Sequence, residues 1–288
     1  MENLWIFYSL AWLLAIWLWD FIKKVILQKW WNKEVFLFMC FVFYIIILWG
    51  NYLLNSTTDF SEIEKQWAII IGSFEFLVPL GMLTALKYLD VSFSLVSIRL
   101  ISSILILAIG TSILWDDLSL YNVIGFIIWF IAIFLLSGFK FSDKVTLHKK
   151  WLLAIILTII GVVWGNSYFK YIVADISVDN YMILKFSVTF FLIIIYMMIR
   201  KKFNHFTIKE VKLVWPLALV TGIIFSVQFL YFLPQIYLLW PLSLWYKILS
   251  YSLIVPIILS IILYKEKVDK RKIIAFVLTI VNLGLFIV

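Results

Sequence analysis

Between Ser119 and Phe139 the chain reads SLYNVIGFIIWFIAIFLLSGF, without one charged side chain. Stretches of this kind recur along the whole sequence, at residues 3–22, 34–54, 67–87, 91–114, 119–139, 151–170, 180–199, 213–233, 240–263 and 271–288. Apolar runs of about 18 residues or more mark segments that cross a bilayer. In the hydrocarbon no water meets the backbone N–H and C=O groups, so a crossing segment is a helix or a strand of a closed barrel. These runs do not alternate apolar with polar, as barrel strands do. They therefore read as helices. Composition agrees: 65% of the 288 residues are hydrophobic and 14% charged, whereas soluble domains carry about 25% charged residues. The expected fold class is an all-α membrane protein with ten transmembrane helices. Short connectors leave no room for a soluble domain.

Several function classes have little material. The net charge of +8 does not point to nucleic acid, because the lysines and arginines lie mostly in connectors, where they report orientation. Cys40 is the one cysteine, which excludes an internal disulfide, and the two histidines, His148 and His205, both sit in connectors. A zinc site or a cysteine–histidine nucleophile is therefore not expected, nor is any cofactor. No ATP-binding motif is present, and no enzyme activity is expected. The N-terminus carries Glu2 in place of a basic region and bulky Trp in its apolar run. It reads as the first permanent span and not as a cleaved leader.

Internal similarity organises the ten stretches. AIWLWDFIKK in the first and GVVWGNSYFK in the sixth both place Trp six residues before Lys, as Trp17–Lys23 and Trp164–Lys170. IRLIS in the fourth and YKILS in the ninth align Arg99 and Ser102 with Lys247 and Ser250. Asp116 and Gly125 align with Glu266 and Ala275. The three matches occur in order, as a duplicated five-helix unit requires. Five is odd, so the second unit enters the membrane from the opposite side. The expectation is two inverted five-helix repeats, 1–141 and 142–288, in one integrated membrane domain. Such a chain supplies both halves itself, so a monomer suffices, although a dimer is compatible.

With these residues in view, the chain resembles the drug/metabolite transporter superfamily, EamA-type. The W-G-x-S-x-x-K pattern of Trp164–Lys170 is similar to the opening span of each half in that family. ALKYLDVSFSLV, residues 85–96, is similar to its link between third and fourth spans. An acidic residue followed nine positions later by a small one closes each half, as Asp116 with Gly125 and Glu266 with Ala275. The resemblance covers essentially the whole chain. Ala275 stands for the usual glycine and Asp116 for the usual glutamate. The resemblance implies transport by alternating access, a substrate cavity lined by the fourth and ninth spans, and small organic substrates, sugar phosphates and amino acids among them.

Connector charge predicts orientation. Lys23, Lys24, Lys29 and Lys33 follow the first span, Lys140, Lys144, Lys149 and Lys150 the fifth, and Arg200, Lys201 and Lys202 the seventh. Residues 55–66 instead carry Asp59, Glu62 and Glu64. The positive-inside rule puts odd-numbered connectors in the cytoplasm and both termini outside. Low Gly and Ala with high Ile, Lys and Phe suggest an AT-rich prokaryotic genome, hence the plasma (inner) membrane.

Arg99 is the only charge between Val91 and Trp115. It lies about 12–15 Å into the membrane at 1.5 Å per residue. A charge at a helix centre costs at least about 2.5–3.5 kcal/mol, so it faces a cavity or a partner. Lys247 is its repeat-mate. Two cations on one cavity favour an anionic substrate group, phosphate or carboxylate. Glu75 in the third span is the alternative partner of Arg99, or the carrier of a coupling proton, since intramembrane carboxylates mark proton relays. Lys87, Lys170 and Lys185 read as interfacial.

Trp17, Trp164, Trp245 and Tyr246 are repeat-related or flank Lys247. They would wall a cavity, or form a cage for an amine. Asn166, Gln228, Ser167, Ser102 and Ser250 are candidates to hydrogen-bond a ligand or one another. Pro234, Pro241 and Pro256 suggest a hinged region. The leading reading is a secondary transporter of a small organic anion held by Arg99 and Lys247, with proton or counter-substrate coupling. An amine carrier using the aromatic cage is the alternative, and a non-transporting membrane scaffold is the third reading.

Overall fold

The computed structural model describes residues 32–55, 59–88, 91–136, 149–239 and 270–287, together with isolated positions between Tyr8 and Ile22. Side chains at some helical positions, Arg99 included, lie outside the described set. Among the described residues every regular element is a helix. These are α1 (Lys33–Asn55), α2 (Glu62–Tyr88), α3 (Val91–Ser112), α4 (Leu120–Leu136), α5 (Lys149–Ile172), α6 (Val178–Ile199), a 3-10 turn (Lys202–His205), α7 (Ile208–Val227), a π-helical turn (Gln228–Phe232), α8 (Leu233–Leu239) and α9 (Lys270–Ile287). Eight of the ten apolar stretches fall on these helices. The stretch at 240–263 lies outside the described residues, and 3–22 is described only at isolated positions.

Local sequence sets where the helices start. Ser61 and Glu64 form a reciprocal cap: Ser61 Oγ accepts from the Glu64 N–H at 3.2 Å and Glu64 Oε2 from the Ser61 N–H at 2.8 Å. Glu64 is buried and reaches further. Its Oε1 accepts from the Ser177 N–H at 2.8 Å, and Oε2 accepts from Asn180 Nδ2 at 3.4 Å. One carboxylate thus joins the starts of α2 and α6. Thr207 caps α7 by accepting from the Glu210 N–H at 3.2 Å, and Asn32 Oδ1 accepts from the Val35 N–H at 3.2 Å at the start of α1.

Packing follows from small residues on the helix faces. α2 lies against both α5 and α6, α1 against α7 and α6, α3 against α5, and α4 against α9. A Cβ on Gly161 would stand 2.6 Å from the Phe74 carbonyl, and one on Gly72 would stand 2.5 Å from the Lys185 carbonyl. At these crossings only glycine lets the backbones meet, the usual device where lipid removes the hydrophobic drive to associate. Thr189 Oγ1 donates to the Gly72 carbonyl at 2.9 Å across the same contact. At one end of the molecule Lys202 pairs with Glu34 at 3.0 Å, and Phe38 meets Phe190, Phe203 and Phe206.

Among the described residues, four helical segments are long and apolar enough to cross a membrane: Glu34–Leu54, Leu152–Ile172, Val178–Ile199 and Ile208–Leu238. Their outward faces carry Ile46, Phe191 and Ile223 with 47–61% of each residue exposed. Apolar surface on this scale is suited to lipid and not to water. The chain is a helical membrane protein.

Candidate functional site

Lys185 sits seven residues into α6, about 10 Å along the helix at 1.5 Å per residue. Only 2% of its side chain is exposed, where the sequence suggested an interfacial residue. Its Nζ meets Glu75 Oε1 of α2 at 3.2 Å. Four rings surround the ammonium: Phe186 at 4.2 Å, Phe229 at 5.2 Å, Tyr181 at 5.7 Å and Phe169 at 5.8 Å from their centroids. All lie within the ~6 Å reach of cation–π attraction. Three elements build this box. α5 supplies Phe169, α6 supplies Tyr181 and Phe186, and the π-helical turn supplies Phe229.

Backbone features converge on the same pair. Pro79 lies inside α2 and has no N–H, so the carbonyl four residues earlier, that of Glu75, loses its helical partner. Gly165 of α5 leaves room for the carboxylate, since a Cβ there would stand 2.9 Å from Glu75 Oε1. Phe229 owes its position to a π turn, in which the Leu233 N–H bonds the Gln228 carbonyl. Pro234 follows directly and cannot donate to the Leu230 carbonyl, which favours the wider turn.

The two ions differ in access. The Glu75 side chain is 19% exposed against 2% for Lys185. The carboxylate is the more exposed member, and the ammonium is enclosed. Tyr44 of α1 packs on Phe186 with centroids 4.6 Å apart, and Tyr181 stacks on Phe169 at 5.5 Å. The hydroxyls of Tyr44 and Tyr181 are buried, and among the described residues neither has a hydrogen-bond partner.

The residues singled out from sequence are distributed unevenly around this box. The partner of Glu75 is Lys185. The backbone of Arg99 lies in α3, but its side chain is outside the described residues, as are Trp17, Trp245, Tyr246 and Lys247. Asn166 is committed to helix packing. Its Oδ1 accepts from the Tyr237 hydroxyl, and its Nδ2 donates to the Val162 carbonyl at 2.6 Å. Lys170 bonds the carbonyl of the same Tyr237, so α5 and α8 are joined twice. Trp164 stacks between Phe74 and Tyr168, at 5.9 and 5.1 Å, and is 44% exposed. Gln228 opens the π turn and is buried, with Nε2 unpartnered among the described residues. Ser102 and Ser167 are buried, and their hydroxyls have no partner among the described residues, while Ser250 lies outside them.

Sequence reasoning missed Lys185, Tyr44 and Tyr181 as members of one site. It also missed two legible signals. S-x-x-E at Ser61–Glu64 is a capping box, and G-x-x-x-G at Gly161–Gly165 is a close-packing motif.

No family model and no curated protein matches the chain. Among solved structures, one described only as "Crystal structure of protein" is 13% identical and superposes with a TM-score of 0.70, covering 98% of this chain and 98% of its own. At that identity the likeness concerns the fold alone.

Proposed function

We propose that the protein is a secondary transporter that moves a small organic anion across the plasma membrane by alternating access, built as ten transmembrane helices in two inverted five-helix repeats. The Glu75–Lys185 ion pair, set between α2 and α6 with the ammonium buried and the carboxylate partly exposed, carries the reading. At 3.2 Å and an effective dielectric of about 20 the attraction is about 5 kcal/mol. Desolvation costs several kcal/mol per ion, so such a pair adds little to stability. Intramembrane charges kept at no gain in stability mark substrate or ion pathways.

Helix contacts support the repeat. α1 and α2 are the second and third spans of the first half, and α6 and α7 are those of the second. α1 lies against α7 and α2 against α6, which a two-fold relation between halves exchanges with each other. α4 against α9 pairs the fifth span with the tenth, a contact that maps onto itself. The Lys202–Glu34 pair joins the connectors after the first and seventh spans, in keeping with a shared cytoplasmic side.

In this mechanism Arg99 and Lys247 hold the anionic group, and Trp17, Trp164, Trp245, Tyr246, Asn166 and Gln228 contact the organic body or brace its walls. The halves rock around the site. The test is counterflow in proteoliposomes, with solutes chosen by thermal shift from carboxylates, sugar phosphates, amino acids and quaternary amines. Saturable anion uptake, lowered at least tenfold by both Arg99→Gln and Lys247→Gln, is the expected result. Absence of uptake for every solute that binds removes the transport reading. A second reading, an amine carrier, is favoured by the four rings that already enclose an ammonium. It gains if amines alone move and both variants behave as the wild type.

A further inference from the structure

Two helix starts carry the same pattern. Ser61-x-x-Glu64 opens α2 and Thr207-x-x-Glu210 opens α7, each residue 146 positions after its counterpart. In both, the hydroxyl accepts the N–H of the glutamate at 3.2 Å. The faces that follow also correspond. Glu64, Ala68 and Gly72 stand at four-residue spacing on one face of α2. Ala68 is fully buried, and a Cβ on Gly72 would stand 2.5 Å from the Lys185 carbonyl of α6. Glu210, Val214 and Ala218 stand in the same way on one face of α7. Val214 and Ala218 are fully buried in a cluster with Val35, Phe36 and Cys40 of α1. Each glutamate heads the face that its helix turns to a neighbour, α6 for α2 and α1 for α7.

The two carboxylates are used differently. Glu64 accepts from the Ser61 N–H and, across to the residue that opens α6, from the Ser177 N–H, both at 2.8 Å. Among the described residues the Glu210 carboxylate has no corresponding bond, and its Oε2 is buried without a partner. A buried carboxylate oxygen without a donor is costly. Donors of the kind that Glu64 uses, first-turn N–H groups of the adjoining helix, belong at this end to α1. The α1 end is held instead by weaker links. Lys202 meets Glu34 at 3.0 Å, with 29% and 30% of the side chains exposed, and Phe38 meets Phe203 and Phe206 edge-on. These links run from α1 to the connector before α7 and not to the α7 start. Part-exposed ion pairs hold little.

We propose that Glu64 and Glu210 are alternating staples. In this structure Glu64 fastens the starts of α2 and α6, and Glu210 is released. In the opposite conformation Glu210 accepts from the first turn of α1, where Lys202 already balances Glu34, and Glu64 lets α6 go. Two matched sets of bonds keep the two conformations close in free energy, as a reversible switch requires. The staples belong to opposite membrane faces, so their alternation rests on the inverted-repeat transport reading.

The test is hydrogen–deuterium exchange of the purified full chain in detergent, below the melting temperature of every variant. Mass spectrometry reads the two helix starts, residues 32–36 of α1 and 177–181 of α6, and no ligand is needed. Glu64→Ala should speed exchange at 177–181 and slow it about threefold or more at 32–36, because the population moves to the conformation in which Glu210 is fastened. Loss of a merely structural cap would not slow the far end. The Glu64→Ala/Glu210→Ala protein should lose the slowing. Glu64→Gln, a milder change, should move both ends in the same directions as Glu64→Ala. Glu210→Ala removes no side-chain bond present here, and residues 177–181 should exchange no faster in it than in the wild type. Ser61→Ala keeps the bonds to α6 and should leave 32–36 as in the wild type.

The proposal is overturned if neither Glu64 variant slows exchange at 32–36, if the double variant keeps the slowing, if Glu210→Ala speeds exchange at 177–181, or if Ser61→Ala slows 32–36 as Glu64→Ala does. Counterflow in proteoliposomes with carboxylates, sugar phosphates, amino acids and quaternary amines separates the two ideas. Opposed exchange at the two ends without flux of any solute removes transport and leaves the staples. Flux with independent exchange at the two ends removes the staples and leaves transport.

Discussion

Replacing Glu64 with alanine removes a carboxylate that serves two helix starts at once. Three bonds disappear: to the Ser61 N–H at 2.8 Å, to the Ser177 N–H at 2.8 Å and to Asn180 Nδ2 at 3.4 Å. Loss of the cap on α2 costs about 1 kcal/mol. The Ser177 bond is charge-assisted, which is worth about 1.5–3 kcal/mol. Ser177 is exposed, so water recovers part of it, and the low end of that range applies. The long Asn180 bond adds about 0.5 kcal/mol. The total is about 3 kcal/mol, which corresponds to a fall in melting temperature of about 5–10 °C for a chain of this size. Intrinsic tryptophan fluorescence during a thermal ramp in detergent measures it. Ser61→Ala is the discriminating control. It loses only the Oγ bond to the Glu64 N–H at 3.2 Å and keeps the staple to α6, so it should fall by about 1 kcal/mol. If Glu64→Ala melts no lower than Ser61→Ala, the bonds across to α6 contribute nothing. The joint anchoring of the two helices is then wrong.

Other perturbations follow the same reasoning. Gly161→Ala drives a Cβ to 2.6 Å from the Phe74 carbonyl and 2.7 Å from Val78 Cγ2. It should cost about 1–3 kcal/mol in unfolding by mixed-micelle titration, whereas Gly50→Ala, with nothing within 4 Å, should match or slightly exceed the wild type. Tyr237→Phe deletes the hydroxyl given to Asn166 Oδ1, and a loss of about 0.6–1.7 kcal/mol in the same titration is expected; no change would mean that α5 and α8 are held by the Lys170 contact and packing. For orientation, Cys40 is buried and is first replaced by alanine. An impermeant maleimide added to intact cells should then label Ser61→Cys and spare Lys201→Cys, and the reverse pattern refutes the assigned sides.

Helix positions were legible because the bilayer demands a long apolar run for every crossing, and that demand is written residue by residue. The expected limits of 180–199 and 91–114 meet helices at Val178–Ile199 and Val91–Ser112. What the run cannot encode is which helix lies beside which. Glu75 offered itself as a partner for Arg99, or as a proton carrier, because α2 and α3 are neighbours along the chain, but α2 packs chiefly on α5 and α6, and its carboxylate meets Lys185. Those two residues lie 110 positions apart, and no local pattern joins them. Lys185 also carried a misleading depth. Seven residues past the helix start is close enough for a lysine to reach water along its own stem. The packing of Phe169, Tyr181, Phe186 and Phe229 around its ammonium closes that route. The glycines at 161 and 165 were readable as a crossing, and they place α5 against α2. With that contact known, a small residue at 165 opposite Glu75 would have directed attention to the third span and its neighbours.

Local costs are not scattered through this molecule. Pro79 takes a hydrogen bond from the Glu75 carbonyl, Gly165 gives up a side chain beside the Glu75 carboxylate, and a π turn brings Phe229 onto Lys185. Among the described residues, the buried hydroxyls of Tyr44 and Tyr181, whose rings pack on Phe186 and Phe169, go unpaired. Each departure lowers stability by itself, and a chain selected only to pack would have replaced the ion pair with leucine at little or no loss. Sequences break local rules mainly where function requires it. Four such breaks around one pair make this pair, and not the exposed aromatic face at Trp164, the part of the described structure where a substrate or a proton has something to act on.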